Sequence, residues 1–440
     1  MTTVHVAPAN SVQGALHLPG DKSMSHRALL LALVSTRPVR LENLALGEDV
    51  AATLAAVEQL GATVARDAEN PTIVTVTGVG LRGIQPPADG APIDCRNAGT
   101  LARLLAGLLV GQPAGREFTL VGDASLSGRP MARIADPLTA LGAKIATTSR
   151  ATLPMKITSV GELTATVPFE LEVASAQVQS AVLLAGLYAN GRTTVVEPSV
   201  LRDHTERMLK RCGVRVHRRG RKVSVEPVTG AFELPDTFIP ADPSAAAAFV
   251  TAATVLHGSL LRLPGVLEQP GRRGFLDILE QMGAHVAISN RQMVSGEPVA
   301  DLEVKHATVS RTFIEVEDVA RMIDELPLLA LVGHFRRGEF VVRGAEELRA
   351  KESNRIDDLE LAFRKMGVSF QALRDGYIVR GSSVRPDGGR MDAAGDHRLA
   401  MLGGIVGLVS RQGVTIDNAE CVDVSFPGFF DVLDAIAVRA

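Results

Sequence analysis

One pattern constrains this chain more than any other: it repeats itself six times, in two alternating kinds of helix. The period is roughly 70–85 residues, the range in which a repeat marks one structural unit. The first kind is amphipathic, closes on Gly and runs into a strand. It reads AATLAAVEQLGATVA from Ala51, MARIADPLTALGAKIA from Met131, TERMLKRCGVRVH from Thr205, RGFLDILEQMGAHVAI from Arg273 and RIDDLELAFRKMGVSF from Arg355, with a degenerate sixth copy, FFDVLDAIAVRA, at the end. In the five full copies Gly stands where the helix must stop in a left-handed turn, and a β-branched residue follows shortly. The second kind is rich in small residues and nearly uncharged after its first turn. Its copies are SHRALLLALVS from Ser25, AGTLARLLAGLLVG from Ala98, SAQVQSAVLLAGLYA from Ser175, DPSAAAAFVTAATVL from Asp242, IDELPLLALVG from Ile323 and DHRLAMLGGIVGL from Asp396. A helix that is apolar all round is buried, yet polar and charged residues crowd its start in nearly every copy.

A buried helix leaves its first backbone N–H groups unpaired and carries partial positive charge at that end, so such ends bind anions. Six converging starts would make one anion-attracting cleft; the alternative is a repeat fold with ordinary N-caps. The formal charge of −3 supplies no general basic field for nucleic acid, so any anion site rests on local clustering. With 4% aromatic residues and no Trp, stacking platforms for single strands are also missing. Three widely spaced cysteines, Cys95, Cys212 and Cys421, form no CxxC pair, which argues against a zinc site or disulfide framework and for a reducing compartment. The start, Met1 to Gln13, lacks a basic segment followed by an apolar run, so no signal peptide is expected. The longest apolar stretch, Ala245–Leu261, reads as a buried helix. No GxGxxG follows a strand and no GxxxxGK[ST] is present. At 440 residues two domains are the default, and three units in each is the natural grouping.

The chemistry-bearing segments sit at matching points of the repeats. In Leu18-Pro-Gly-Asp-Lys-Ser-Met-Ser-His-Arg27, the residues Lys22, Ser23 and Arg27 lie within about a turn and a half of a helix start and suit a phosphate or carboxylate. In Asn97-Ala-Gly-Thr100, Gly99 permits close approach to backbone. Arg129 precedes Pro130, a residue suited to a first helical turn. Gln177, in Ser175-Ala-Gln177, can orient an acid or hydroxyl, and Arg202 can reach a phosphate. Asp324 and Glu325 head the fifth apolar helix as a cap or as a base beside cations. Lys351 and Arg355 are four apart, hence on one face if helical, and repel unless an anion lies between them; Glu352 can balance them. Asp396-His-Arg398 directly precedes the sixth apolar helix.

Together the segments GDKSMSHR, NAGT, RPM, SAQVQSAVLLAG, DELP, KESNR and DHRLAM resemble, in order and spacing, the 5-enolpyruvylshikimate-3-phosphate synthase family of enolpyruvyl transferases. The SAQ segment and RDHTERM with Arg202 are similar to the branch that includes naturally glyphosate-tolerant members. The resemblance implies an α/β fold, a two-domain inside-out α/β barrel of six βαβαββ-like repeats. One domain would comprise residues 1–20 plus 241–440 and the other residues 21–240. It implies transfer of the enolpyruvyl group of phosphoenolpyruvate to the 5-hydroxyl of shikimate 3-phosphate, with release of phosphate. Shikimate 3-phosphate would be held by Lys22, Ser23, Arg27, Ser175, Ala176, Gln177, Arg202, Asp324 and Lys351, and phosphoenolpyruvate by Lys22, Gly99, Arg129, Gln177, Arg355 and Arg398. Asp324 would take the hydroxyl proton, and Glu352 or Lys22 would protonate the methylene carbon. No cofactor or metal is required. A cytoplasmic monomer is implied, with no nucleic-acid or membrane partner. Some members carry Pro where Leu104 stands, and many carry Lys where Val424 precedes Ser425-Phe-Pro427, so the resemblance does not carry over a phosphoenolpyruvate contact there. Gly99 is not Ala, so some sensitivity to the inhibitor glyphosate is expected. The rivals are enolpyruvyl transfer to UDP-N-acetylglucosamine, whose enzymes usually have a reactive loop Cys and a KNAALP-like start, and a non-catalytic anion-binding repeat protein.

Overall fold

The structure, a computed structural model, describes residues 2–165, 168–310, 314–382 and 384–439. The outer ends of the expected domains, Met1 and Ala440, lie outside the described residues. The chain divides into two compact units. One comprises Met1–Pro19, Pro240–Val294 and Pro298–Ala440; the other comprises Gly20–Ile239 with Ser295–Glu297.

Within the Gly20–Ile239 unit the repeat is visible strand by strand. Its second copy runs strand Ile93–Asp94, helix Gly99–Leu109, strand Glu117–Val121, helix Ala132–Ala140, then strands Lys144–Ala146 and Met155–Thr158. The four strands lie in the order first, second, fourth, third, with the first pair parallel and the rest antiparallel. The third copy builds the same sheet from Phe169–Glu170, Thr193–Val196, Lys222–Val225 and Val216–Arg219. The first copy takes its leading strand from the far end of the unit: Thr237–Phe238 pairs in parallel with Pro38–Glu42, Phe238 opposite Glu42. The sheet of the first copy turns one face inward. In Pro38–Glu42, Val39 and Leu41 are buried while Pro38 and Arg40 are exposed, the period-two signature of a half-buried strand.

The other unit repeats the theme with the chain's two ends interleaved. Val4–Val6 completes a sheet with Val414–Asp417 and Gly389–Asp392. Ser11–Ala15 runs parallel to Leu260–Leu267 and antiparallel to Ala437–Val438. A third sheet orders Glu339–Val342, Gly376–Arg380 and Ser369–Leu373.

Six helices form the two cores: Lys22–Leu33, Gly99–Leu109 and Ala176–Gly186 in one unit, and Pro243–Val255, Leu326–His334 and His397–Val409 in the other. Each is buried along nearly its whole length, as its lack of a polar face requires. Small residues let them approach closely. A Cβ built on Gly107 would stand 2.3 Å from the Ala181 carbonyl oxygen of the neighbouring helix. The amphipathic helices stop as the sequence predicts. Gly61, Gly142, Gly213, Gly283 and Gly367 all have φ between 78° and 105°. The next residue in each case donates its N–H five residues back, Ala62 to Val57, Ala143 to Leu138, Val214 to Leu209, Ala284 to Leu279 and Val368 to Phe363, which satisfies the last carbonyls. The stretch from Ala245 is buried helix as far as Val255 and becomes strand at Leu260. No helix among the described residues is long and apolar enough to cross a membrane.

Candidate active site

In the Gly20–Ile239 unit three buried helix starts are tied together by polar side chains. Asp21 caps the first, accepting the Met24 N–H at 2.7 Å, which orients the turn carrying Lys22 and Ser23. Lys22 Nζ donates to Asp49 Oδ2 at 3.0 Å. Arg27 is buried and reaches across to the third helix: Nη2 donates to Ser180 Oγ at 2.9 Å, Nε to Thr205 Oγ1 at 2.8 Å, and Nη1 back to the Ser23 carbonyl at 3.0 Å. Ser175 caps the third helix, accepting from the Val178 N–H at 3.4 Å, and Ala176 begins it. Gln177, one residue on, links the third start to the second. Its Nε2 donates to Thr100 Oγ1 at 3.0 Å, and its Oε1 accepts from Arg103 Nη1. Gly99 lies between two guanidinium groups; a Cβ there would meet Arg103 Nη1 at 3.3 Å and Arg129 Nη1 at 3.4 Å. Arg129 is steadied by Asn97 Oδ1 at 2.7 Å and Ser125 Oγ at 3.2 Å. Arg202 is half-buried in the loop before the helix His204–Arg211.

In the other unit the side chains singled out in the sequence gather on one carboxylate. Asp324 Oδ1 accepts from Lys351 Nζ at 3.2 Å and Arg355 Nη1 at 3.4 Å, and Arg398 Nη2 stands 3.9 Å from Oδ2. Glu352 Oε2 accepts from Arg355 Nη2 at 2.6 Å. Arg355 is 1% exposed. Burial alone disfavours its charge, but the Asp396, Glu352 and Asp324 carboxylates more than offset that and hold it firmly protonated. Asp396 caps the sixth helix through the Arg398 N–H at 2.9 Å and grips Arg355 Nε at 2.7 Å. Buried carboxylates and guanidiniums in fixed contact make a preorganised electrostatic environment, the kind suited to charge that appears during reaction.

The chain matches the family model for EPSP synthase (3-phosphoshikimate 1-carboxyvinyltransferase) over residues 6–433. It belongs to that family. Among its relatives, the 3-phosphoshikimate 1-carboxyvinyltransferase of Alkalilimnicola ehrlichii is 43% identical over 430 residues, covering 97% of this chain and 94% of that one. The enzyme of the same name from Desulforamulus reducens is 39% identical over 439 residues, 99% of each. The structure of EPSP synthase from Acinetobacter baumannii superposes with a TM-score of 0.87 at 36% identity, over 100% of this chain and 99% of that one. An enolpyruvyl transferase from Streptomyces tendae shares the fold at 18% identity, with a TM-score of 0.77 over 99% of this chain and 96% of that one. The expected fold class, the two-domain α/β fold of enolpyruvyl transferases, is borne out.

Two local readings of this EPSP synthase family member need correction. Lys351 and Arg355 do not share a helical face. A 3-10 turn, Glu346–Ala350, ends before Lys351, and the helix begins only at Arg355; both side chains nevertheless reach Asp324 Oδ1. Pro130 is not in a first helical turn either. Arg129 follows the short helix Ala124–Ser127, its N–H bonded to the Leu126 carbonyl at 3.1 Å, and the next helix starts at Ala132. Three further residues hold the predicted ones, Asp49, Arg103 and Asp396, and the first two went unnoticed in the sequence. Asp396 heads the Asp396-His-Arg398 segment; Arg103 lies four residues past Gly99, one turn on, so helical spacing places it on the same face. Asp49 left no signal, because its partner Lys22 is twenty-seven residues away.

Proposed function

We propose that this member of the EPSP synthase family transfers the enolpyruvyl group of phosphoenolpyruvate to the 5-hydroxyl of shikimate 3-phosphate and releases phosphate. The observation that carries the reading is Asp324, a carboxylate within 4 Å of Lys351, Arg355 and Arg398. Buried cations need counter-charges in any protein, but a carboxylate shared by three of them is also placed to act as a base, which an acid–base enzyme needs and an anion-binding protein does not.

Shikimate 3-phosphate is assigned to Lys22, Ser23, Arg27, Ser175, Ala176, Gln177, Arg202, Asp324 and Lys351, and phosphoenolpyruvate to Lys22, Gly99, Arg129, Gln177, Arg355 and Arg398. Asp324 takes the proton of the 5-hydroxyl as its oxygen bonds to C2 of phosphoenolpyruvate. Glu352 or Lys22 delivers a proton to C3, giving a tetrahedral intermediate with a methyl group. Loss of a methyl proton and departure of phosphate restore the double bond. The cations supply the stabilisation, since two phosphates and two carboxylates must coexist while charge shifts among them. The links Arg27–Ser180 and Gln177–Thr100 support the assignment by fixing these side chains before ligand arrives.

Phosphate release measured with both substrates, and with each omitted in turn, tests the reaction; release that ignores shikimate 3-phosphate overturns it. Gly99 also bears on glyphosate. Its missing side chain leaves both guanidiniums close, so an anionic inhibitor in the phosphoenolpyruvate site is expected to bind, and inhibition in the same assay checks this. Adding a Cβ in Gly99→Ala forces Arg103 or Arg129 to give by a few tenths of an ångström, with a several-fold rise in KM for phosphoenolpyruvate. The assignment includes a cytoplasmic monomer.

A further inference from the structure

Glu325 has an unusual station. Its side chain is 4% exposed, and Oε2 is buried with no hydrogen-bond partner among the described residues. Oε1 accepts from Ser244 Oγ, in the first turn of the helix Pro243–Val255. Ser244 Oγ in turn accepts from Arg272 Nη2 at 3.0 Å, and the same nitrogen donates to Asp242 Oδ1 at 3.1 Å. Toward the site, Glu325 Oε1 stands 3.6 Å from Arg398 Nη1. Although Glu325 occupies the N-cap position of the helix Leu326–His334, its side chain makes no capping bond. Nothing about helix termination therefore accounts for a buried carboxylate here, and a buried charge is costly unless it is used.

We infer that Glu325 is a positioning residue for Arg398, steadying the guanidinium through Nη1 at a distance that leaves its N–H groups for the anion of phosphoenolpyruvate. The inference rests on the assignment of Arg398 to that substrate. Both acidic contacts of Arg398, 3.6 Å to Glu325 and 3.9 Å to Asp324, are beyond hydrogen-bond reach. The guanidinium is thus steadied by charge while its N–H groups are not consumed by these two carboxylates. Held by Ser244, Glu325 draws Nη1 while Asp324 draws Nη2, so neither carboxylate alone sets the orientation of the guanidinium. Without that balance Arg398 can turn onto Asp324, which spoils the anion site and occupies the base together. Freed of restraint, it must also give up rotamers to bind.

The two physical effects of removing the charge have opposite signs, so the experiment can separate them. Subtracting one negative charge raises the local positive potential and lowers KM for phosphoenolpyruvate. Losing the restraint raises it. Glu325→Gln keeps the shape and an acceptor for Ser244 but removes the charge. The expected result is a rise of about tenfold in KM for phosphoenolpyruvate, with KM for shikimate 3-phosphate within twofold. Ser244→Ala, which leaves the carboxylate but unfastens it, is expected to give about a threefold rise in the same constant, and serves if the first variant does not fold. In an Arg398→Lys background the Glu325→Gln increment disappears. A KM for phosphoenolpyruvate that falls, stays within twofold, or rises in step with that for shikimate 3-phosphate overturns the inference. Arg398→Lys with an unchanged KM overturns the assignment of Arg398 and this inference with it. A raised KM in Arg398→Lys alongside unchanged constants in both other variants overturns only the role of Glu325.

Discussion

Asp324 meets Lys351 at 3.2 Å and Arg355 at 3.4 Å, and a carboxylate so neutralised is a weak base. As the proposed base it would become effective once incoming phosphates and carboxylates draw those cations toward themselves, which would couple base and ligand through shared partners. Asp324→Asn is therefore expected to lower kcat by roughly 10²–10⁴-fold, the range for a general base. KM values should change much less, because the amide keeps the shape and the cations remain. Steady-state phosphate release separates the constants, and wild-type kcat in this variant would remove Asp324 from the proton transfer. His26, four residues after Lys22, is held neutral by burial and by nearby cations. Its ring is fully buried, with Nδ1 2.6 Å from Thr53 Oγ1. Burial first, then the nearby charges of Lys22 and Arg27, pushes its pKa from 6.5 to about 3. Between those values the unfolded chain binds a proton that the folded chain refuses. Stability is then complete above about pH 6.5 and is lost as pH falls toward 3, by ~1.4 kcal/mol per pH unit from this residue alone. His26→Gln should flatten that slope between about pH 7 and pH 5 in urea unfolding, whatever its constant cost in stability. Part of the slope will remain, since burial also lowers the pKa of His334. An unchanged slope would mean that the folded protein protonates His26 freely.

At the level of helices and strands, glycines do two different jobs, and substitution separates them. Gly213 has φ +79° with nothing within 4 Å of a built Cβ, so Gly213→Ala meets only backbone strain, about 1–2 kcal/mol. Gly107 has ordinary helical geometry but a Cβ would sit 2.3 Å from the Ala181 carbonyl oxygen, in backbone of the next helix. Gly107→Ala must therefore push two buried helices apart, at about 3 kcal/mol or more. It should also disturb the Thr100–Gln177 link between the same two helices, lowering activity where Gly213→Ala does not. Thermal unfolding with parallel activity assays checks both. Both kinds of helix were legible in the sequence because each rests on local physics: an apolar surface with no polar face, or Gly placed where the turn must be left-handed. The heads of the buried helices were legible too, since polar residues before an apolar run need a reason. Strand partners were not. Thr237–Phe238 pairs with Pro38–Glu42, and Val4–Val6 with Val414–Asp417; two-residue and three-residue strands carry too little pattern to name a mate so far away in the chain. The face shared by Lys351 and Arg355 failed for a related reason. Spacing gives a face only if the helix is continuous, and nothing in KESNR announces that it starts at Arg355.

For the whole molecule, a chain of net charge −3 must attract two polyanions. Magnitudes decide whether its overall sign matters. Three negative charges acting from ~20 Å through water amount to ~0.6 kcal/mol of repulsion, less once salt with a Debye length of ~10 Å at 0.1 M intervenes. One guanidinium at ~4 Å, in the effective dielectric near a protein surface, contributes ~4 kcal/mol of attraction. The local cations win, so added salt should weaken substrate capture rather than relieve repulsion. Raising KCl from about 20 mM to about 0.5 M is expected to lower kcat/KM for phosphoenolpyruvate by about three- to tenfold. The drop is bounded because Arg129 and Arg355 are mostly buried, and buried charges are screened less than exposed ones. Once both anions are bound they exclude mobile ions from the same groups, so kcat at saturation should stay within about twofold. A kcat/KM that climbs with salt would mean that the net negative charge, acting at a distance, governs capture, and that the clustered helix starts do not.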